Sequence, residues 1–186
     1  MAATNRDLQR EVDEAGEVVY TAQITYRVGR ENLLLRWEEM RRQNGDDFGF
    51  HYDPYAFDSQ PEKSFFTQLL GQLHLHADEV EDIYFTGGLS DPGKTDFFVE
   101  YQDAKGKTHH YTPDFIIRRK DGRCLIVEIK AERERNDVTD GEQGRKALAI
   151  RGWVGLNPDR LKYEMIFTPG DSVAFNQLGP VREFLA

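Results

Sequence analysis

Cysteine is nearly absent from this chain, and the single residue, Cys124, lies within a predicted strand. One cysteine cannot form an internal disulfide, which favours a reducing compartment over a secreted, disulfide-stabilised domain. The sequence also lacks any run of about 18 apolar residues and any signal-like leader, so we expect a cytoplasmic protein without membrane contact.

Positive charge is scarce as well. The chain has 24 Lys and Arg against 33 Asp and Glu, for a net charge of −9. Proteins that bind nucleic acid by themselves usually present a basic surface, because phosphate neutralisation supplies much of the affinity. Residues 104–135 reverse the balance, with nine basic and five acidic side chains. The composition therefore predicts weak, salt-sensitive DNA binding by the chain alone, as in a module that another domain delivers to DNA.

Apolar residues make up 39% of the 186 positions, which is enough for one well-buried domain, and their spacing predicts an α/β fold. Alternating patterns predict strands at 17–28, 80–85, 97–101, 108–118, 123–130 and 161–167. Helical spacing predicts helices at 31–43, from Ser59, from Thr139 and near Pro180, and Phe48 to Phe57 is expected to be a packed connection. We expect residues 1–55 to form a strand–helix extension packed on the core. Residues 56–186 would then form the main domain, with a mixed β-sheet flanked by helices.

Three charged residues lie on the two most apolar predicted strands. Asp114 opens the first strand, while Glu128 and Lys130 lie two residues apart near the end of the second, so their side chains leave the same face. Burial of these groups among Ile116 and Ile126 is costly, unless the acids bind a divalent cation and the lysine meets an anion. The alternative is a salt-bridged cluster without chemistry, which stabilises a sheet poorly compared with apolar packing.

The turn between the two strands decides whether the acids meet. A two-residue type I′ turn at Asp121-Gly122 would place Asp114 opposite Ile129 and separate it from Glu128. A three-residue loop at 120–122, with Gly122 in the left-handed conformation, would place Asp114 directly opposite Glu128. A shared cation requires the second register or a bulge with the same effect. In that register we expect Ile116, Arg118, Cys124 and Ile126 on the acids' face, and Phe115, Ile117, Leu125, Val127 and Ile129 on the other.

The sequence P-D, a spacer and E-x-K resembles the signature of the PD-(D/E)xK nuclease superfamily, with Pro113-Asp114 and Glu128-Ile129-Lys130 at the motif positions. The wider context is similar to the endonuclease domain at the end of the restriction subunit of type III restriction enzymes. That context comprises Asp58-Ser59 through Glu62, Tyr111 through Phe115, Glu128 through Lys130, and Lys146 to Trp153. The likeness covers roughly the last two thirds of the chain. It implies a restriction-endonuclease-like core that acts on double-stranded DNA beside a helicase or translocase domain and a modification subunit, with a homodimer as one arrangement.

The resemblance also implies metal-dependent hydrolysis of DNA phosphodiester bonds. Asp114, Glu128 and the backbone carbonyl of Ile129 are expected to hold Mg²⁺, for which Mn²⁺ can substitute. Lys130 is expected to orient or activate the attacking water and to stabilise the transition state. Two other functions compete with this one. The chain could be a non-catalytic docking module on the same fold, or a metal-dependent phosphohydrolase that acts on small nucleotides.

Three further residues each have two interpretations. Glu62 follows Ser59 by three positions, so it fits a helix capping box, while the resemblance implies that it joins the catalytic metal site. Lys146 lies on the inward stripe of the helix that begins near Thr139, where it could contact a DNA phosphate or flank the helix in solvent. His110 precedes the motif strand and could contact DNA, or be an ordinary histidine at a strand edge.

Overall fold

A computed structural model describes residues 6–186, except 24, 25, 27, 45–47, 77, 87–97 and 138–140. Its strands are β1 (Arg6–Val12), β2 (Val18–Gln23), β3 (Leu34–Leu35), β4 (Tyr55–Ala56), β5 (Val80–Phe85), β6 (Val99–Gln102), β7 (Thr108–Tyr111), β8 (Phe115–Arg119), β9 (Cys124–Ala131) and β10 (Leu161–Thr168). Its α-helices are α1 (Trp37–Asn44), α2 (Gln60–Leu75), α3 (Glu142–Leu156) and α4 (Gly179–Leu185). The mixed α/β class expected from the sequence is confirmed.

The central sheet has the strand order β10-β9-β8-β5. Strands β9 and β10 are parallel, and β8 pairs antiparallel with both β9 and β5. The parallel pair needs a crossover, and α3 provides it. The sheet is therefore mixed, as predicted.

Apolar side chains cover both faces of this sheet. On one face β8 and β9 bury a set that packs against α2 and α4: Phe115, Ile117, Leu125, Val127 and Ile129. On the other face Ile126 packs with Val99 and Ile150 beneath α3. The division of side chains between the faces follows the predicted alternation, because a strand that is covered on both sides must bury both of its faces.

Helix α2 begins where the sequence predicts. Ser59 is its N-cap and accepts the backbone N–H of Glu62, and Pro61 lies in the first turn, where its missing N–H costs nothing. Its buried face carries Phe65, Phe66, Leu69, Leu70 and Leu73. The stretch from Phe48 to Phe57 packs against the same core through stacked and tilted aromatic rings, which confirms the packed connection.

The N-terminal predictions need correction. The predicted helix over 31–43 begins only at Trp37, because Leu34 and Leu35 form a short antiparallel pair with β4. The predicted strand over 17–28 ends at Gln23, and residues 24, 25 and 27 lie outside the described part of the chain. Its partner β1 was not predicted, and the two strands form a separate two-stranded sheet in which Val18 is exposed.

The predicted strand over 108–118 is also interrupted. It splits into β7 and β8 at Thr112 to Asp114, and β7 pairs with β6 in a separate two-stranded sheet. Pro113 explains the break because it has no N–H to donate to a ladder. The other strand predictions hold within a few residues at each end, and β5 spans the predicted range.

The start of α3 differs from the prediction too. Gly141 is its N-cap and Glu142 its first residue, whereas the helix was expected to open at Thr139, which lies outside the described residues. The C-terminal helix α4 begins beside Pro180, as predicted. None of the described helices combines the length and apolar composition needed to cross a lipid bilayer.

A buried arginine joins α4 to the sheet. Arg119 is 4% exposed, and its guanidinium donates to the backbone carbonyls of Phe184 and Leu185 at 2.8 and 2.7 Å. The same group pairs with Glu79 and Asp121. A guanidinium has five N–H donors, so four acceptors satisfy most of its hydrogen-bonding capacity and make its burial tolerable.

Candidate active site

The register of β8 and β9 brings the two motif acids together. Phe115 pairs with Val127, so the next pair outward is Asp114 and Glu128. Arg119 donates its N–H to the carbonyl of Arg123 at 2.9 Å, which closes a three-residue loop, and Gly122 has φ +84°. This is the second of the two predicted registers, and it is confirmed. A β-carbon at Gly122 would be strained at this φ, so glycine fixes the loop that sets the register.

Backbone hydrogen bonds hold Asp114 in place. Its Oδ2 accepts the N–H of Ile129 at 2.7 Å, and its own carbonyl accepts the N–H of Thr86 at 2.9 Å. The Thr86 hydroxyl donates to the carbonyl of Pro113. Both neighbouring strands therefore anchor the break at Pro113, which delivers the Asp114 carboxylate beside Glu128.

Lys130 pairs with Glu128 across one intervening residue. Its ammonium lies 2.5 Å from Glu128 Oε1, and the Glu128 residue is only 3% exposed. The second oxygen, Oε2, is buried and makes no hydrogen bond within the described part of the chain. Native structures satisfy nearly all buried polar atoms, so a free carboxylate oxygen suggests a ligand-binding role.

The pKa values of Asp114, Glu128 and Lys130 are shifted because the three groups are buried close together. Burial raises the pKa of Asp114 well above its usual range, and the neighbouring Glu128 carboxylate raises it further. Burial also raises the pKa of Glu128, although Lys130 opposes that rise. Burial disfavours the Lys130 ammonium, but Glu128 and Asp114 outweigh it, so the pKa of Lys130 stands above its ordinary value. Lys130 is therefore a fixed cation rather than a proton acceptor at neutral pH.

Glu62 lies at the start of α2 and close to the motif residues. Its carboxylate accepts the hydroxyl of the N-cap Ser59 at 2.6 Å and the N–H of Asp58, one residue before the cap, at 3.2 Å, so it supports the start of α2. It also interacts electrostatically with Asp114 and Lys130. Glu62 is 7% exposed, and burial raises its pKa to about 7, although the hydrogen bond from Ser59 lowers it. The capping interpretation and proximity to the candidate site are thus compatible.

A cleft of about 710 Å³ opens beside these groups. Glu62, Ile129 and Lys130 line it, together with residues from the loops at 29–33, 132–134 and 168–171. Acidic side chains outnumber basic ones around its wall. A phosphate would therefore be repelled from the cleft unless a cation compensated the acids.

The two residues predicted as DNA contacts lie in different settings. Lys146 does not stand free in solvent, because its side chain is 17% exposed, pairs with Glu142 at 2.6 Å and lies 5.5 Å from the ring centres of Tyr101 and Tyr111. Its charge also lowers the pKa of Glu128, which places it near the acids. His110 lies on β7 outside the central sheet, where it pairs with Glu100 at 3.0 Å and stacks on Phe98. His110 and Asp114 do not share a strand, because the strand breaks at Pro113 between β7 and β8.

Two tyrosines that the sequence did not single out complete the surroundings of Glu128. Tyr111 and Tyr163 are largely buried, and after burial itself the Glu128 carboxylate is the next cause that raises the pKa of each phenol. Tyr163 lies on β10 and pairs with Ile126, two residues before Glu128 on the same face of the sheet. If the pairing of β10 with β9 had been known, side-chain alternation would have placed Tyr163 on the same face as Glu128.

The donor set fits a hard divalent cation. Within the described ranges, no three His, Cys, Asp or Glu side chains form a ready-made metal cage. The expected ligand set differs from such a cage, because it has two carboxylates, those of Asp114 and Glu128, and one backbone carbonyl, that of Ile129. Glu62 lies nearby. Mg²⁺ takes oxygen donors, commonly binds through only one or two carboxylates, and keeps several water ligands. The free Oε2 of Glu128 is the observation that favours such an ion.

Comparison with known proteins adds no relative to this picture: no protein-family model, no curated protein and no solved structure matches the chain.

Proposed function

We propose that this chain is a metal-dependent DNA endonuclease with a restriction-endonuclease-like core, and that it serves as the nuclease module of a type III-like restriction system in the cytoplasm. The observation that carries the proposal is the pairing of Asp114 with Glu128 beside Lys130. Two buried acids raise each other's energy, and apolar residues would stabilise the sheet better. A cation that binds both acids would explain why the fold keeps them together.

Each residue of the site has a role in this proposal. Asp114, Glu128 and the Ile129 carbonyl would hold Mg²⁺, and Glu62 would add a carboxylate from the cleft side. The bound ion would supply an acidified water and a counter-charge for the scissile phosphate. Lys130 keeps its proton, so it donates to the phosphate or to the attacking water and stabilises the charge that grows in the transition state. Lys146 extends the positive charge toward the substrate.

The net charge of −9 supports delivery by a partner, because phosphate binding by an acidic chain is weak. A helicase or translocase domain would supply the affinity for duplex DNA, and a modification subunit would supply site selection. Cleavage of both strands would require two sites, as in a homodimer.

Plasmid cleavage at low ionic strength tests the proposal. The wild-type chain should nick or linearise supercoiled plasmid in Mg²⁺ or Mn²⁺ but not in EDTA, and Glu128→Gln should abolish the activity. Glu100→Gln is the matched control, because it makes the same chemical change at an exposed glutamate on β6. Equal cleavage by wild type and Glu128→Gln would refute the proposed role. A wild-type chain that stays inactive even with its motor partner would favour the docking module.

The cleft favours a second candidate, a phosphohydrolase of small nucleotides. A volume of about 710 Å³ is in the range of sites that enclose a small molecule. Release of phosphate from nucleoside triphosphates in Mn²⁺, without plasmid cleavage and with loss of activity in Glu128→Gln, would select this function over the endonuclease.

A further inference from the structure

One carboxylate oxygen of Glu128 and two tyrosine hydroxyls near it are buried without a hydrogen-bond partner in the described part of the chain. The three atoms are Glu128 Oε2, the Tyr111 hydroxyl and the Tyr163 hydroxyl. Such atoms are rare in folded proteins, because a buried polar atom without a partner is destabilising. Their occurrence together at a candidate catalytic carboxylate calls for a common explanation.

The three atoms come from three separate strands. Tyr111 ends β7, Glu128 lies in β9 and Tyr163 lies in β10. The Glu128 carboxylate raises the pKa of both phenols, and the two phenols interact with each other, so both hydroxyls lie near this carboxylate. The chain thus places two neutral O–H groups near a carboxylate whose Oε2 Lys130 does not bind.

Packing fixes the two rings. Both tyrosines lie against the cluster formed by Val99, Ile126 and Ile150, and the Lys146 ammonium lies over the face of Tyr111. The hydroxyls can therefore move little. A phenol keeps its proton at neutral pH and donates a single hydrogen bond, which suits an anionic acceptor.

We infer that Tyr111 and Tyr163 are positioning residues, whose hydroxyls orient the Glu128 carboxylate for a divalent cation. This inference rests on the proposed function, since it assigns the pair to the metal site of that function. Groups that orient a metal ligand typically contribute tenfold to a hundredfold to metal affinity.

The double variant Tyr111→Phe/Tyr163→Phe separates this role from a structural one. The substitution keeps both rings and removes only the two hydroxyls, which make no hydrogen bond in the described chain. The metal-free protein should therefore unfold at the same temperature as wild type, or slightly higher. Tyr84→Phe is the matched control, because Tyr84 lies on β5 of the same sheet and stacks on His51, away from Glu128.

Calorimetric titration with Mn²⁺ alone, on the full chain without DNA, is the test. The double variant should bind Mn²⁺ at least about tenfold more weakly than wild type, and Tyr84→Phe should bind like wild type. In cleavage assays the double variant should need more Mn²⁺ for half-maximal rate and should recover at saturating metal.

The outcomes distinguish the two hypotheses. If wild type binds Mn²⁺ and the double variant binds it equally well, the positioning role is wrong while the proposed function stands. If the double variant unfolds at a clearly lower temperature with unchanged affinity, the hydroxyls are structural and the inference is also wrong. If wild type binds no Mn²⁺, the proposed function fails and takes the inference with it.

Discussion

Asp114 accepts the backbone N–H of Ile129 at 2.7 Å, and this one bond connects the break after β7 to the C-terminal end of β9. Ile129 lies between Glu128 and Lys130, so the bond places the Asp114 carboxylate beside both of their side chains. The result is a site with two acids and one ammonium, in which any change of one charge alters the energy of the other two.

Asp114→Asn should abolish metal-dependent cleavage and stabilise the metal-free protein. The amide oxygen can still accept the Ile129 N–H, while the repulsion from Glu128 disappears. The pKa of Asp114 is raised in the folded state, so wild type loses stability as the pH rises toward that pKa, and the variant's advantage should grow with pH. We expect a gain of about 1–3 kcal/mol above neutral pH, measured by urea unfolding. A variant that is less stable than wild type there would indicate a structural salt-bridge cluster instead.

Glu62→Gln should change how stability depends on pH. The pKa of Glu62 rises from 4.5 to about 7 on folding, so the protonated form stabilises the native state below 4.5 and this contribution is lost as the pH rises to about 7. The full loss corresponds to about 3 kcal/mol. Because Gln cannot ionise, the difference in unfolding free energy between variant and wild type should grow across this window. A difference that does not vary with pH would contradict the assigned shift, and Glu100→Gln is the control at an exposed position.

Lys130→Met should separate chemistry from metal binding. The raised pKa of Lys130 makes it a permanent cation near the acids, so its loss removes transition-state stabilisation and should lower the cleavage rate by about 100-fold or more. Mn²⁺ affinity should be kept or improved, because a competing positive charge is gone. Loss of Mn²⁺ binding in a calorimetric titration would argue against this division of roles. Lys105→Met, in the exposed turn between β6 and β7, is the control.

Arg119→Met should destabilise the fold without a direct effect on the site. The substitution leaves the carbonyls of Phe184 and Leu185 and the carboxylate of Glu79 without the hydrogen bonds that Arg119 donates. We therefore expect the free energy of unfolding to fall by about 3 kcal/mol. The neighbouring Arg118 pairs with Glu81 at 2.9 Å on an exposed surface, and Arg118→Met should cost less than about 1 kcal/mol. Equal losses in the two variants would show that the buried arginine does not anchor α4.

Several local features followed from the sequence alone. The Ser59 cap, the range of β5 and the alternation of β8 and β9 are short-range effects, set by capping chemistry and by the period of a strand. The three-residue loop was one of two alternatives that the residues around Gly122 allowed. The hydrogen bond between Arg119 and Arg123 decided between them, and with it the pairing of Asp114 and Glu128.

Other features could not be predicted from the sequence, because they depend on pairing with segments that are distant in the chain. The strand β3 replaced a predicted helical turn once it met β4, and β1 was recognisable only through its pairing with β2. Tyr163 contacts the surroundings of Glu128 because β10 lies parallel to β9, a register that no local pattern encodes.

The residue types of the candidate site and the strand faces on which they lie could be read from the sequence, because side-chain alternation along a strand is a local property of the backbone. The fold was needed to show that Glu62 approaches Asp114 and Lys130, that the Lys146 ammonium lies near two aromatic rings, and that two tyrosines lie near Glu128. Those relationships join residues from different elements, and packing of the whole core fixes such distances.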